Sequence, residues 1–137
     1  NRSEQHEDLV GHVRILPWHA FKLGLQGWSY HGYYLPYGDA YSDFEPTHGQ
    51  ADSSAVFPGP LGPVPSRQAE AMRDGWEDYR LLTLLAGSDS PKAKQAVAEA
   101  TAHIPMDHEP LTAHVDFEAI RLRLLHAAAE LTSASSE

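Results

Sequence analysis

The most informative stretch of this chain is FPGPLGPVPSRQAEAMRDGWEDYRLLTLL, residues 57–85. Its first part, residues 57–65, is rich in proline and glycine, and this composition predicts an irregular loop because proline removes a backbone donor. Ser66 follows at once, and its hydroxyl can accept a hydrogen bond from a free N–H group in the first turn of a helix. The stretch therefore predicts a loop that leads into a capped helix.

The residues after Ser66 have the three-and-four spacing of an amphipathic helix. The predicted apolar stripe consists of Met72, Trp76, Tyr79, Leu82 and Leu85. Arg73 and Glu77 lie four apart on an adjoining face, where they can form an ion pair. Because Glu77 and Asp78 are neighbours on a helix, their side chains point about 100° apart and cannot flank one bond. The pattern favours a structural role for both carboxylates.

The run RDGWEDY, residues 73–79, is the most specific motif of the chain. Together with Ser66 and Arg67 before it, and Leu82 and Leu85 after it, this run resembles the last barrel helix of glycoside hydrolase family 123 and its uncharacterised relatives.

Three other segments are similar to the same family. Residues 14–20, RILPWHA, and residues 27–30, GWSY, resemble the helix and strand that precede the last barrel helix. Residues 117–131 resemble the closing helix of that family. The resemblance covers most of the chain from about Val10 onward.

The resemblance implies an α/β fold in which this chain is the C-terminal portion of a (β/α)8 TIM-type barrel. Such barrels need about 250 residues, whereas this chain has 137 and no initiator Met. We therefore expect a mostly helical piece of a larger enzyme, with one or two strands and a long aromatic loop. Residues 1–87 are expected to form the last helix–strand–loop–helix units, and residues 88–137 a C-terminal helical extension packed on the barrel.

Local signals predict the remaining elements. Residues 8–23 have a helical rhythm, and Pro17 inside it predicts a kink or two shorter helices. Gly24 is expected to end that helix. Residues 25–30 are short, aromatic and bounded by glycines, which is typical of a strand, and residues 32–62 are expected to form the long loop.

Two further helices are expected in the C-terminal part of the chain. Pro91 is suited to the first turn of a helix that ends near His103. Asp116 can cap a final helix through its side-chain oxygen.

The chemistry of a barrel enzyme lies at the C-terminal ends of its strands. If residues 25–30 form the last strand, the side chains at or just beyond this rim include Trp28, Tyr30, His31, Tyr33 and Tyr34. Aromatic rings can stack on the apolar faces of sugars, so these residues are candidates for substrate binding. Arg67 is a further candidate, because the last helix begins near the rim. Barrel filling remains an alternative for Trp28 and Tyr30, and relatives usually have Trp at the position of His31.

The family resemblance also implies a reaction. It implies retaining hydrolysis of a terminal N-acetyl-β-hexosaminide, with the substrate's own acetamido group as nucleophile and an adjacent Asp-Glu pair on an earlier strand. No segment of this chain matches that pair, so we expect no catalytic residue here and no activity of the chain alone. Alternatives are a noncatalytic carbohydrate-binding or assembly module, or a small helical scaffold.

Composition limits the other partners. The chain has 10 basic and 19 acidic residues, a net charge of −9, which argues against nucleic acid or an anionic membrane. The expected partners are a carbohydrate substrate and the remainder of the barrel.

The nine histidines raise the question of a metal site. His12 and His19 are seven apart, however, and His103, His108 and His114 lack ligand-like spacing. We therefore expect no metal and no cofactor. The absence of cysteine leaves the compartment open.

Overall fold

The computed structural model of the protein describes residues 2–29, 55–106 and 115–134. Its elements are α1 (Arg2–Lys22), β1 (Val56–Gly59), β2 (Gly62–Pro65), α2 (Arg67–Ala86), α3 (Pro91–Ala102) and α4 (Phe117–Ala134). The described part is therefore mostly helical, with one two-stranded antiparallel sheet, an α/β mix. Across these ranges no helix combines the length and apolarity that crossing a bilayer requires.

Helix α1 runs through Pro17 as one element, so the expectation of two shorter helices is wrong. Proline removes the hydrogen bond that the carbonyl of Val13 would otherwise accept. Pro17 is buried against α2 at Gly75, where an added Cβ would lie 3.0 Å from Pro17 Cγ and 2.5 Å from the carbonyl oxygen of Arg14. The close packing of α1 against α2 at this crossing helps to keep α1 continuous despite the hydrogen bond that Pro17 removes.

The end of α1 confirms Gly24 as the helix terminator. Gly24 adopts a positive φ of 67° and donates its N–H to the carbonyl of Phe21 at 3.1 Å. Leu25 donates its N–H to the carbonyl of Ala20 at 2.8 Å. These two bonds form a Schellman motif, which satisfies the last carbonyl groups of the helix and reverses the chain.

The strand predicted at residues 25–30 is wrong over its described part, because residues 25–29 have no regular structure. One contact between this segment and the helices is the hydrogen bond that the hydroxyl of Tyr79 donates to the carbonyl of Leu25 at 3.1 Å. A short apolar run forms a strand only if another strand pairs with it. Tyr30 lies outside the described residues.

The sheet lies where the sequence predicted a loop. β1 and β2 pair as an antiparallel hairpin in which Val56 faces Pro65 and Gly59 faces Gly62. A Cβ on Gly59 would lie 2.5 Å from the carbonyl oxygen of Gly62, so the tight turn requires glycine there. Prolines are compatible with this hairpin because both strands of a two-stranded sheet are edge strands. The loop prediction for residues 57–65 is therefore wrong.

Helix α2 begins as predicted, since the hydroxyl of Ser66 accepts a hydrogen bond from the N–H of Ala69 at 3.1 Å. Its buried face differs from the predicted stripe. The buried residues are Ala71, Gly75, Asp78, Leu82 and Leu85, whereas Met72, Trp76 and Tyr79 are only partly buried. The prediction is thus confirmed for the two leucines alone. Small residues face inward because α1 approaches α2 closely at Gly75.

The structure confirms Pro91 in the first turn of α3 and Asp116 as the cap of α4, and it adds a cap at Ser90 that was not predicted from the sequence. Ser90 caps α3 with Pro91 in its first turn, and Asp116 Oδ1 accepts the N–H of Ala119 at 2.9 Å. All four helices contribute to one hydrophobic core. Its largest members are Ile15, Trp18, Leu82, Leu85, Ile104, Phe117, Ile120 and Leu124. Residues on both sides of the predicted boundary at 87/88 therefore pack together.

Lys22 connects the end of α1 to the end of α3. Its Nζ donates to the carbonyl oxygens of Thr101 at 3.0 Å and Ile104 at 2.7 Å. A cation at this position also complements the partial negative charge at the C-terminus of a helix.

Candidate functional site

The structure describes two of the six predicted substrate-binding residues. Trp28 lies in the irregular segment that follows α1, and Arg67 is exposed at the first position of α2. The other four, Tyr30, His31, Tyr33 and Tyr34, lie outside the described residues. Their assignment to a sugar-binding rim, together with that of Arg67, stays a prediction.

Trp28 belongs to an aromatic cluster that consists of Phe21, Trp28, Trp76 and Tyr79. The rings of Trp28 and Trp76 are nearly parallel, with an interplanar angle of 9° and centroids 6.4 Å apart. Tyr79 meets Trp76 edge-on at 5.2 Å, and Phe21 meets Tyr79 edge-on at 6.0 Å. The cluster links α1, α2 and the segment after α1, because each of these carries at least one of the rings.

Two polar atoms of the aromatic cluster are already enclosed or hydrogen-bonded within the protein. Nε1 of Trp28 is buried, and the hydroxyl of Tyr79 is used in its bond to Leu25. Trp28 is partly exposed. A ligand at this position would therefore contact carbon atoms of the indole ring and not its buried N–H group.

The sequence identified only Trp28 as a site residue in this cluster, because Trp76 and Tyr79 were assigned to the core stripe of α2 and Phe21 was not singled out. The available signal was the three-residue spacing of Trp76 from Tyr79, which places the two aromatic side chains next to each other on a helix. That spacing does not reveal which part of the chain the pair contacts.

On another face of α2, Asp78 forms the centre of a charged junction, which we define as Arg14, Trp18, Asp78, Glu118 and Arg121. Asp78 is fully buried. Its Oδ2 accepts hydrogen bonds from Arg14 Nε at 3.1 Å and from Trp18 Nε1 at 3.2 Å. Because Arg14 and Trp18 are four apart on α1, one turn of that helix supplies both donors.

Arg14 and Arg121 extend the charged junction to α4. Arg14 Nη1 donates to Glu118 Oε1 at 2.5 Å, and its guanidinium carbon lies 5.0 Å from the ring centroid of Phe117. Arg121 Nη1 lies 3.4 Å from Asp78 Oδ1, and Arg121 Nη2 donates to Glu77. The charged junction thus joins α1, α2 and α4.

The two neighbouring carboxylates of the motif have opposite electrostatic environments. Burial raises the pKa of Asp78, although the Arg14 guanidinium and its hydrogen bond oppose this effect. The hydrogen bond from Arg121 lowers the pKa of Glu77. A carboxyl that is enclosed by packed helices has no access to a substrate. Asp78 therefore has the position of a structural group, and Glu77 is held by its partner on α4.

The ion pairs of Arg73 contribute less to stability than the sequence suggested. The predicted contact with Glu77 is present at 4.0 Å, but the shorter contact is with Glu70 at 2.7 Å. The Arg73 side chain is 64% exposed, so both contacts are screened by water.

In the ranges that the structure describes, no three His, Asp or Glu side chains are grouped so that they could hold a metal ion. His19 Nε2 lies 2.7 Å from the carbonyl oxygen of Pro105, so this side chain connects α1 to the segment that follows α3. The side chain of His12 and the whole of His108 and His114 lie outside the described part.

Comparison with known proteins adds no relative. The chain matches no protein-family model, and no curated protein matches it.

Proposed function

We propose that this chain is the C-terminal part of a glycoside hydrolase that acts on a terminal N-acetyl-β-hexosaminide. In this proposal the chain completes a (β/α)8 barrel and supplies aromatic side chains to the substrate pocket. The catalytic acids belong to the remainder of the barrel, which is the chain's first partner, and the carbohydrate substrate is its second.

One observation supports this proposal more than any other. Of the four segments that carry the resemblance to family 123, three lie at residues 14–20, 66–85 and 117–131. These segments lie on α1, α2 and α4, and the charged junction around Asp78 joins all three. Residues that are far apart in the sequence and resemble one family are therefore close in space, which favours a shared structural unit.

The resemblance implies the chemistry of the whole enzyme. A glutamic acid on an earlier strand protonates the glycosidic oxygen, while the acetamido oxygen of the substrate attacks the anomeric carbon and the bond to the leaving group breaks. An adjacent aspartate orients the acetamido group. Water then attacks the anomeric carbon and regenerates the acetamido group, so the configuration is retained. The contribution of this chain is to bind the sugar ring at the aromatic cluster.

A substrate comparison tests this proposal on the full-length protein that contains the chain. We expect hydrolysis of an aryl N-acetyl-β-galactosaminide and negligible hydrolysis of the aryl β-galactoside, because the second substrate has no acetamido nucleophile. The separate 137-residue chain should hydrolyse neither. Equal turnover of both substrates, or turnover by the separate chain, would contradict the proposal.

A noncatalytic carbohydrate-binding or assembly module is the second candidate. It is favoured by the exposed apolar side chains of α4, Leu122 and Leu125. Isothermal titration of the full-length protein with N-acetylgalactosamine separates the two candidates. Binding without hydrolysis of the aryl substrate would support the module and exclude the enzyme.

A further inference from the structure

Trp28 lies in a segment without regular secondary structure. Residues 25–29 follow the Schellman motif at Gly24 and form neither a helix nor a strand. Regular hydrogen bonding therefore does not fix the position of the indole ring. The bond from Tyr79 Oη to the carbonyl of Leu25 anchors the start of the segment, three residues before Trp28.

The ring of Trp76 provides a rigid surface next to this segment. It belongs to α2, which is held in place by the close crossing at Gly75 and by the buried Asp78. Tyr79 packs edge-on against Trp76 at 5.2 Å, and Phe21 of α1 packs edge-on against Tyr79 at 6.0 Å. Trp76 is therefore supported from the side of α1 by contacts that do not involve Trp28.

We propose that Trp76 is a positioning residue that fixes the ring plane of Trp28 for sugar binding. The near-parallel arrangement, at 9° and 6.4 Å, is the geometry that carries this inference. Because Nε1 of Trp28 is buried, the ring can offer a sugar only its carbon surface, and the value of that surface depends on its orientation. The inference rests on the proposed function, and it adds a residue that does not itself contact the substrate.

Kinetics of the full-length enzyme test this role, with an aryl N-acetyl-β-galactosaminide as the probe. Trp76→Ala should raise KM about five- to tenfold, which corresponds to the loss of one aromatic pair. The value of kcat should stay near that of the wild type, because the catalytic acids are not displaced. Trp76→Phe should restore part of the loss, since a smaller ring still supports Trp28.

A double-mutant cycle separates positioning from an independent contact. If Trp76 acts through Trp28, then Trp28→Ala combined with Trp76→Ala should raise KM no further than Trp28→Ala alone. Leu84→Ala is the matched control, because Leu84 is an exposed apolar residue of the same helix. That variant should keep the KM of the wild type. Fully additive effects of the two tryptophan variants would overturn the inference.

Circular dichroism gives a second readout that does not need activity. Two stacked indole rings couple their transitions, so Trp28→Phe and Trp76→Phe should each remove the same ultraviolet couplet. Urea unfolding identifies any variant that does not fold, and in that case Trp76→Phe supplies the kinetic comparison.

The outcomes distinguish the inference from the function on which it rests. If Trp28→Ala raises KM and a folded Trp76→Ala variant has the wild-type KM, the positioning role is wrong and the proposed function stands. If the wild-type enzyme neither hydrolyses nor binds the sugar, the proposed function fails and the inference fails with it, even if the couplet is present.

Discussion

The two faces of the RDGWEDY helix contrast in almost every physical property. The face that carries Gly75 and Asp78 is buried, charged and closely packed against α1 and α4. The face that carries Trp76 is aromatic and partly exposed, and it contacts the irregular segment with Trp28. Asp78 and Trp76 are two residues apart and therefore point about 160° away from each other. The contrast indicates a stabilising role for the buried face, and the proposed function places sugar binding on the aromatic face.

The buried face should show the largest effect on stability. Asp78→Ala leaves Arg14 and Trp18 without their buried acceptor, and we expect a loss of about 3–5 kcal/mol in the free energy of unfolding. Urea denaturation measures this loss. Asp89→Ala serves as the control, because Asp89 is exposed in the turn before α3. A loss below about 1 kcal/mol for Asp78→Ala would show that the junction is not essential to the fold.

The helix crossing should show the next largest effect. In Gly75→Ala the new methyl group would lie 2.5 Å from the carbonyl oxygen of Arg14, so α1 and α2 must separate. We expect a loss of about 1–3 kcal/mol. Gly27→Ala is the matched control, since no atom lies within 4 Å of its Cβ position. Equal melting temperatures for the two variants would contradict the close packing at this crossing.

The two neighbouring carboxylates should respond to pH with opposite signs. Because the folded pKa of Glu77 is below its ordinary value of 4.5, its contribution is complete above pH 4.5 and is lost as pH falls. Because the folded pKa of Asp78 is above its ordinary value of 3.8, its contribution is present below pH 3.8 and declines as pH rises from there.

Urea titrations of two isosteric variants across this pH range test the signs. The stability difference between the wild type and Glu77→Gln should shrink on acidification below pH 4.5. The difference between the wild type and Asp78→Asn should shrink as pH rises above 3.8. If both stability differences changed with pH in the same direction, the two carboxylates would not have pKa values shifted in opposite directions.

The smallest effect is expected at the solvent-facing ion pairs. Arg73→Ala removes contacts to Glu70 and Glu77 from an exposed side chain, and we expect a change of about 0.5 kcal/mol or less. Thermal unfolding at low and at moderate salt measures it. A change as large as that of Gly75→Ala would mean that Arg73 contributes to the buried face.

Signals within a few residues predicted the ends of the helices correctly. Ser66, Gly24, Pro91 and Asp116 each act on backbone groups close in sequence, so their side chains or dihedral angles are sufficient to indicate them. The strand at residues 25–30 was wrong because strand formation depends on a distant partner. The hairpin was missed because its prolines were interpreted as evidence against any strand, whereas proline is excluded only from central strands.

The candidate site was harder to predict for the same reason. Trp28 was identified from its aromatic character and from the family resemblance, but its partner Trp76 is 48 positions away in the sequence numbering. The inward position of Asp78 was also missed, because its burial depends on Arg14 and Trp18 of another helix. A spacing of four between Arg14 and Trp18 indicates one shared face of α1 and does not identify its acceptor.

The most direct test compares KM and the urea midpoint of the full-length enzyme after Trp28→Ala, with an aryl N-acetyl-β-galactosaminide as substrate. If Trp28 binds the sugar, KM rises about tenfold while the midpoint stays near that of the wild type. An unchanged KM together with a large fall in the midpoint would show that the aromatic face, like the face around Asp78, serves the fold alone.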